Sequence, residues 1–383
     1  MKVTISVGGR FHAFYLAQQL IKRGYLKKLI TPYPKFEAVK YGIPKDKIDS
    51  IIMKELISRG WQALPPFLKN LYNPQYLLHE IYDKQASNLY GESDICTAFS
   101  GFALHTIRKA KKAGAVTIVE RGSSHMLYQQ RILKEECGKA GFKFRPAHPR
   151  VVEKELTEYE EADYISIPSL FVKNTFLKFG ISERKLIHIP YGVDLSSFRQ
   201  MPKEDEKFRV IYCGGITMRK GVHYLLQVFH ELNLPDSELW LIGSMDEEML
   251  PFLRRFSSDK VVYKGQYPQT ELYKYYSQGS VFVIMSIEEG LAMVQPQAMA
   301  CGLSVICTTN TGGEDIVRDG VDGFVIPAGD VEVLKEKITY MYENRDICKE
   351  MGRSARQRVS EGFTWNDYGE KMVKAYEKVL NGK

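Results

Sequence analysis

Short apolar runs of strand length alternate along the whole chain with stretches whose apolar residues recur at helical spacing. VTISVGG (3–9) leads into FHAFYLAQQLIKRG, a helix that the pattern closes at Gly24, and LKKLITPYP follows as a second strand. DICTAFS (94–100), ALHTIRKAKKAG and AVTIVERG (115–122) repeat that order, and ADYISIPS and KLIHIPYG complete a first series. FRVIYCGG (208–215) opens a second one, with a helix from Val222 and then ELWLIGS (238–244), VVYKGQ (261–266), SVFVIMS (280–286), LSVICTT (303–309) and GFVIPAG (323–329). Such alternation predicts α/β architecture, two doubly wound parallel sheets covered by helices. The junction falls in GVDLSSFRQMPKEDEK, where turn-forming and charged residues interrupt the periodicity. Ligands of open parallel sheets bind beyond the carboxyl ends of the strands, so two facing domains predict a cleft between them as the site.

Composition narrows the function classes. Of 383 residues, 44% are hydrophobic and 26% charged, the balance of a folded globular chain with no disordered tract. The longest apolar runs, such as VFVIM (281–285), fall far short of the roughly 20 residues that span a bilayer. The opening MKVTISVGG has no signal-peptide pattern, and a cytoplasmic location is expected, with the inner face of the membrane as the alternative place of work. Six cysteines without CxxC or zinc-type spacing read as free thiols, so neither disulfide nor metal is expected. The net charge of +7 is uneven: residues 1–195 hold 30 Lys and Arg against 19 Asp and Glu, and the rest of the chain is net acidic. In RGWQALPPFLKNLYNPQYLLHEIY (59–82) basic residues interleave with aromatics, a surface suited to anionic membrane headgroups or phosphorylated acceptors, or simply to water. No helix-turn-helix, zinc or RNA-binding signature accompanies the charge, and no nucleic-acid partner is expected.

Four segments of the second half sit where strands end. GGITMRKG (214–221) offers a glycine turn, then Arg219 and Lys220, then a helix; free amides and two cations at that place suit a diphosphate, although an ordinary charged helix start reads the same way. In EEGLAMVQPQAMACG (288–302) the amides of Gly290, Leu291, Ala292 and Met293 could face a phosphate, and Glu289 could accept hydroxyl hydrogens from a sugar or merely cap a loop. TGGEDIVRDGVDGFVIPAGD (311–330) is a second glycine-rich loop, with Glu314 and Asp315. YKGQYP (263–268) ends a strand whose exposed backbone could read a base edge.

The order of these segments resembles the retaining nucleotide-sugar glycosyltransferases of family four, with two Rossmann-like domains in the GT-B arrangement. HIPYGVDLSSF, CGGITMRKGVHYLLQVF, WLIGS, YKGQYPQTELYKYYSQGSVFVIMSIEEG, QAMACGLSVICT, TGGEDIV and DGVDGFVIPAGD follow one another as that family's phrases do. The resemblance implies an acceptor-binding domain over residues 1–195, a nucleotide-sugar domain over 196–365, and a C-terminal helix in 366–383 packing back on the first domain. It implies that Arg219 and Lys220 hold the donor diphosphate. Gly215 stands where the family usually has an arginine, with Arg219 as its substitute, and Gly243 and Gln266 border the donor. Glu289 matches the glutamate that touches the donor sugar. Gln297 falls on the family's second glutamate, which binds the ribose hydroxyls; an amide oxygen still accepts there, more weakly by about 1 kcal/mol. In the first domain Gly8 and Gly9 border the donor. ERGSSH (120–125) offers His125 as the catalytic-side histidine, with Arg10, Arg121 and Ser123 on the acceptor side and His12 as a weaker candidate.

The activity so implied is transfer of a hexose from a nucleoside diphosphate sugar to a glycan or lipid-linked hydroxyl with retention, in cell-surface polysaccharide biosynthesis, with no cofactor required. Rival readings are a nucleotide-sugar 2-epimerase of the same build and a sugar-nucleotide or glycan-binding protein without turnover, for which Gly215 and Gln297 are the relevant departures.

Overall fold

The computed structural model describes residues 1–65 and 72–382. Residues 66–71, within the basic aromatic stretch, and Lys383 lie outside the described residues.

The first sheet has seven strands in the order β3-β2-β1-β4-β5-β6-β7, with β1 Val3–Ser6, β2 Leu26–Thr31, β3 Ile48–Ser50, β4 Ile95–Phe99, β5 Val116–Glu120, β6 Tyr164–Ile167 and β7 Leu186–His188. The second has six, β10-β9-β8-β11-β12-β13, with β8 Phe208–Cys213, β9 Ser237–Ile242, β10 Val261–Gly265, β11 Val281–Ile284, β12 Ser304–Thr308 and β13 Gly323–Ile326. Every strand pair in both is parallel. Central strands are buried along their whole length, as in Val3–Ser6, Ile95–Phe99 and Val281–Ile284, because helices cover both faces. In each sheet the strand order reverses beside the first strand, between β1 and β4 and between β8 and β11, and that switch point opens a crevice at the carboxyl ends.

The chain crosses back once more at its end. Val193 bridges Thr364 in parallel, and Thr364 and Asp367 form a reciprocal capping box that starts the helix Trp365–Asn381. That helix lies on the first domain: Trp365 stacks on Tyr15 at 4.1 Å between centroids, and Tyr376 bonds Thr97 of β4 at 2.9 Å. Helices that the sequence pattern did not single out include Ile52–Gln62, Gln75–Leu89, Met126–Lys139, Pro149–Glu161, Leu170–Lys178, Val331–Glu343 and Arg345–Ser360.

Candidate functional site

The carboxyl end of β8 turns through Gly214 into a short 3-10 turn, Met218–Lys220, capped by the Thr217 side chain on the Lys220 amide. Gly221 then takes a left-handed φ of 64° and starts the helix Val222–Leu232; a Cβ on it would stand 1.9 Å from the Met285 carbonyl oxygen, so only glycine lets the turn lie against the end of β11. Arg219 and Lys220 are thereby aimed at the loop 286–293. Lys220 Nζ pairs with Glu289, which also accepts from Ser286 Oγ at 3.3 Å. Burial and the neighbouring Arg219 guanidinium push the Lys220 ammonium down to about 7, with Glu288 pulling the other way.

Arg219 reaches across the cleft. Its guanidinium lies 2.8 Å from Glu288 Oε2 and donates to Ser123 Oγ at 3.1 Å. Glu288 is fully buried, and the first domain supplies most of its donors: Ser123 Oγ at 3.1 Å, Ser124 N at 2.8 Å, Ser124 Oγ at 2.7 Å and Gln129 Nε2 at 2.8 Å. Burial alone would raise its pKa; the Arg219 charge and these hydrogen bonds prevail and hold it at about 2. Sequence reasoning assigned no role to Glu288, although it is the first acid of the quoted EEGL. Gly290 packs so closely on the first domain that a Cβ would lie 2.0 Å from the Gly122 carbonyl oxygen, and its own carbonyl accepts from Ser169 Oγ at 2.6 Å. Asp315 makes a parallel clamp, on the Leu170 amide at 2.8 Å and His188 Nε2 at 2.6 Å.

The remaining expected positions fall into distinct places. Leu291 and Met293 line a cleft cavity of about 370 Å³ with Arg219, Arg121 and Ser123. The Ala292 amide is already bonded to the Thr311 carbonyl at 3.1 Å, so it is withdrawn from the phosphate-facing set. Gln297 is 4% exposed on the helix Val294–Ala300, and its side-chain amide makes no hydrogen bond among the described residues. Gly215 has room for a side chain, its nearest neighbour being Thr217 Cγ2 at 3.7 Å. The Gly243 carbonyl accepts from Tyr263 Oη at 3.1 Å, and Gln266 is exposed at the end of β10. Gly8 is buried with its carbonyl on Lys54 Nζ at 2.8 Å; Gly9 lies under the Phe11 ring, and Arg10 faces a different cavity with Tyr15 and Asp194.

The structure places His125 at a helix start. β5 ends at Glu120 and the chain turns through 121–124, so His125 becomes the N-cap of Met126–Lys139, accepting from the Leu127 amide at 3.3 Å. Its ring stacks on Phe179 at 4.4 Å beside Tyr159 and Phe176, and burial, helped by Arg121, lowers its pKa to about 4. It does not line the cleft cavity. Arg121 is likewise committed, to Glu155 at 2.6 Å and the Ser124 carbonyl at 3.0 Å. Beside Arg121 at the cavity wall stand His12 and Glu120, joined at 3.2 Å. A further cavity of about 570 Å³ lies on another edge of the second domain, among Gln200, Lys203, Arg345 and Cys348, and of the site motifs only the closing Gly302 reaches it. Among the described residues no cluster of His, Cys, Asp or Glu is arranged to hold a metal ion, and no helix is long and apolar enough to cross a membrane.

Comparison with known proteins bears on the family likeness and the fold. Residues 195–358 match the family model described as glycosyl transferases group 1. The chain is 25% identical over 322 residues to a GDP-mannose-dependent alpha-(1-6)-phosphatidylinositol monomannoside mannosyltransferase of Mycolicibacterium smegmatis, covering 77% of this chain and 78% of that one. It is 28% identical over 192 residues to the capsular polysaccharide biosynthesis glycosyltransferase CapM of Staphylococcus aureus, covering 47% and 49%. Another curated relative is matched over 60% of its length, so several relatives are spanned only by about half. Among solved structures, HepE of Anabaena in complex with UDP superposes with a TM-score of 0.71 over 99% of this chain and 100% of that one, at 16% identity, a likeness of fold. Residues 195–358 are therefore similar to the glycosyl transferases group 1 family, and the chain as a whole has the two-domain GT-B fold.

Proposed function

We propose that the protein is a glycosyltransferase that moves a hexose from a nucleoside diphosphate sugar to a hydroxyl of a glycan or lipid-linked acceptor, with retention at the anomeric carbon. The observation that carries the proposal is the pair Arg219 and Lys220, presented by one turn at the carboxyl end of β8 toward the cleft, each facing a carboxylate. A diphosphate entering there meets two cations whose present partners are side chains of the adjoining loop. In the reaction the anomeric carbon–oxygen bond to the diphosphate breaks with its electron pair going to the leaving oxygen. The acceptor oxygen bonds to the same carbon from the same face and passes its proton to the leaving phosphate. Arg219 and Lys220 stabilise the charge that builds on the diphosphate, which is electrostatic catalysis. Glu289 accepts hydroxyl hydrogens of the donor sugar, and Gln297 those of the ribose.

The CapM match supports a place in surface polysaccharide assembly, and the mannosyltransferase match a lipid-linked acceptor at the membrane. The test is product formation from a panel of nucleoside diphosphate hexoses with the glycosidic configuration read by NMR. Lys220→Ala lowers turnover at least about tenfold if the ammonium stabilises the leaving group; unchanged turnover would sink the assignment.

A further inference from the structure

The linker between the two domains is strapped to the second one, and the strap walls the cavity of about 570 Å³. The Met201 amide donates to Ser277 Oγ at 2.9 Å and the Glu204 amide to Gln278 Oε1 at 2.9 Å, while Gln278 Nε2 returns a bond to the Pro202 carbonyl at 3.2 Å. Gln200 packs on Gly302 and accepts from Arg356 at 3.2 Å. Another wall comes from the start of the helix Arg345–Ser360, which supplies Arg345, Lys349 and Arg353. Bonded linker and packed helix give the cavity its shape before any ligand arrives.

Its charge is unbalanced. Lys203, Arg345, Lys349 and Arg353 line it against one carboxylate, Glu206, in a half of the chain that is net acidic. Lys203 Nζ is half-buried and bonds only neutral oxygens, Ser280 Oγ at 3.0 Å and the Lys207 carbonyl. Burial, reinforced by the Arg209 charge, lowers its pKa. Arg345 Nε donates to the Tyr342 carbonyl at 2.7 Å, and the guanidinium lies over the rings of Phe208 and Tyr342 with no carboxylate partner among the described residues. Lys349 makes no ion pair or hydrogen bond among them, and Arg353 only a loose contact with Glu350 at 3.9 Å. Nearby Arg209 shows the usual arrangement, paired with Asp205 at 2.7 Å and Glu238 at 3.0 Å. Half-buried positive charge without a counter-ion is costly, and its convergence on one cavity points to an anion.

The size and lining narrow the anion. The volume is that of a pocket for a small organic molecule rather than for a lone phosphate group. None of the described residues lining it is aromatic, so nothing is placed to stack a nucleobase. Glu206 has no partner among the described residues and can accept hydroxyl hydrogens.

We propose that this cavity binds a sugar monophosphate, with the phosphate on Lys203, Arg345 and Lys349 and a ring hydroxyl on Glu206. It shares no lining residue with the cleft cavity, so it is a second site. It touches the linker and, through Gly302, the end of the helix that carries Gln297. The inference does not depend on the glycosyltransferase reading.

The test is calorimetric titration of the full chain with glucose 1-phosphate, glucose 6-phosphate, mannose 1-phosphate, inorganic phosphate and methyl glucoside. Phosphatidylcholine vesicles carrying phosphatidylinositol 4-phosphate present the same chemistry on a lipid. The expected result is that at least one sugar phosphate saturates the wild type more tightly than inorganic phosphate does, and equally in Lys220→Ala. Lys203→Gln weakens it at least about tenfold, on the scale of a hydrogen bond between charged groups, and Lys349→Ala, which removes an exposed side chain with no partner, weakens it severalfold. The proposal is overturned if no sugar phosphate binds, if both variants bind as the wild type does, or if Lys220→Ala abolishes binding, which would place the ligand in the cleft. Binding to the vesicles alone, or inorganic phosphate binding as tightly as every sugar phosphate, overturns it as well.

Discussion

At the scale of single residues, the donor side turns on how charge is stored without ligand. Lys220 is held at about 7 because its ammonium is desolvated beside Arg219. A bound diphosphate raises that pKa, so binding takes up a proton. Affinity is then full below about pH 7 and falls as pH rises through the bound-state value. Calorimetry of diphosphate binding at pH 6, 7.5 and 9 checks this, and a flat profile would remove Lys220 from the contact. Gln297 gives a second reading. On the proposal that its buried amide meets the ribose, Gln297→Glu should tighten diphosphate binding by about 1 kcal/mol, severalfold in the dissociation constant. No change would place the nucleoside elsewhere. Arg219, Lys220 and Glu289 were legible because strand-end turns and the run of motifs mark them. Glu288 was not, since its partners Ser123, Ser124 and Gln129 lie about 160 positions away and only the closed cleft brings them together. The pair of His12 and Glu120 is hidden for the same reason, being 108 residues apart in sequence.

At the scale of elements, the strands were legible because burial on both faces makes them continuous apolar runs. The helices Met126–Lys139 and Gln75–Leu89 bury little, respectively Met126 with Glu136, and Tyr82 with Asp83 and Ala86, so their sequences carry weak periodicity. The position of His125 turns on an element boundary. AVTIVERGSSH reads as a strand leading to a catalytic histidine, whereas β5 stops at Glu120 and four residues of turn deliver His125 to a helix cap. The turn carrying Arg219 and Lys220 depends on Gly221 for its backbone and its approach to Met285. Gly221→Ala should therefore cost about 1–3 kcal/mol in urea unfolding and weaken diphosphate binding together. Loss of stability with binding intact would mean that the turn's shape does not set the site.

At the scale of the whole molecule, Glu288 joins the domains, taking bonds from the first and an ion pair from the second. Glu288→Ala leaves Arg219 and several buried donors without an acceptor. The expected cost is roughly 3 kcal/mol, at the low end for a broken buried pair because Arg219 is 38% exposed. Small-angle scattering should show a larger radius of gyration, and an unchanged radius would assign closure to Asp315 and Gly290 instead. The pH sign follows from the depressed pKa. Stabilisation by Glu288 is complete above the ordinary carboxylate value of 4.5 and is lost as pH falls toward about 2. The claim on which the whole reading depends is that the cleft binds a nucleoside diphosphate through Lys220. Thermal unfolding with UDP, GDP, ADP and CMP in turn, on wild type and on Lys220→Ala, tests it most directly. A ligand at 100 times its dissociation constant stabilises by about 2.7 kcal/mol, a clear rise in midpoint. The predicted result is a rise with one diphosphate in the wild type that is lost in the variant; no rise with any of them, or the same rise in both proteins, would contradict it.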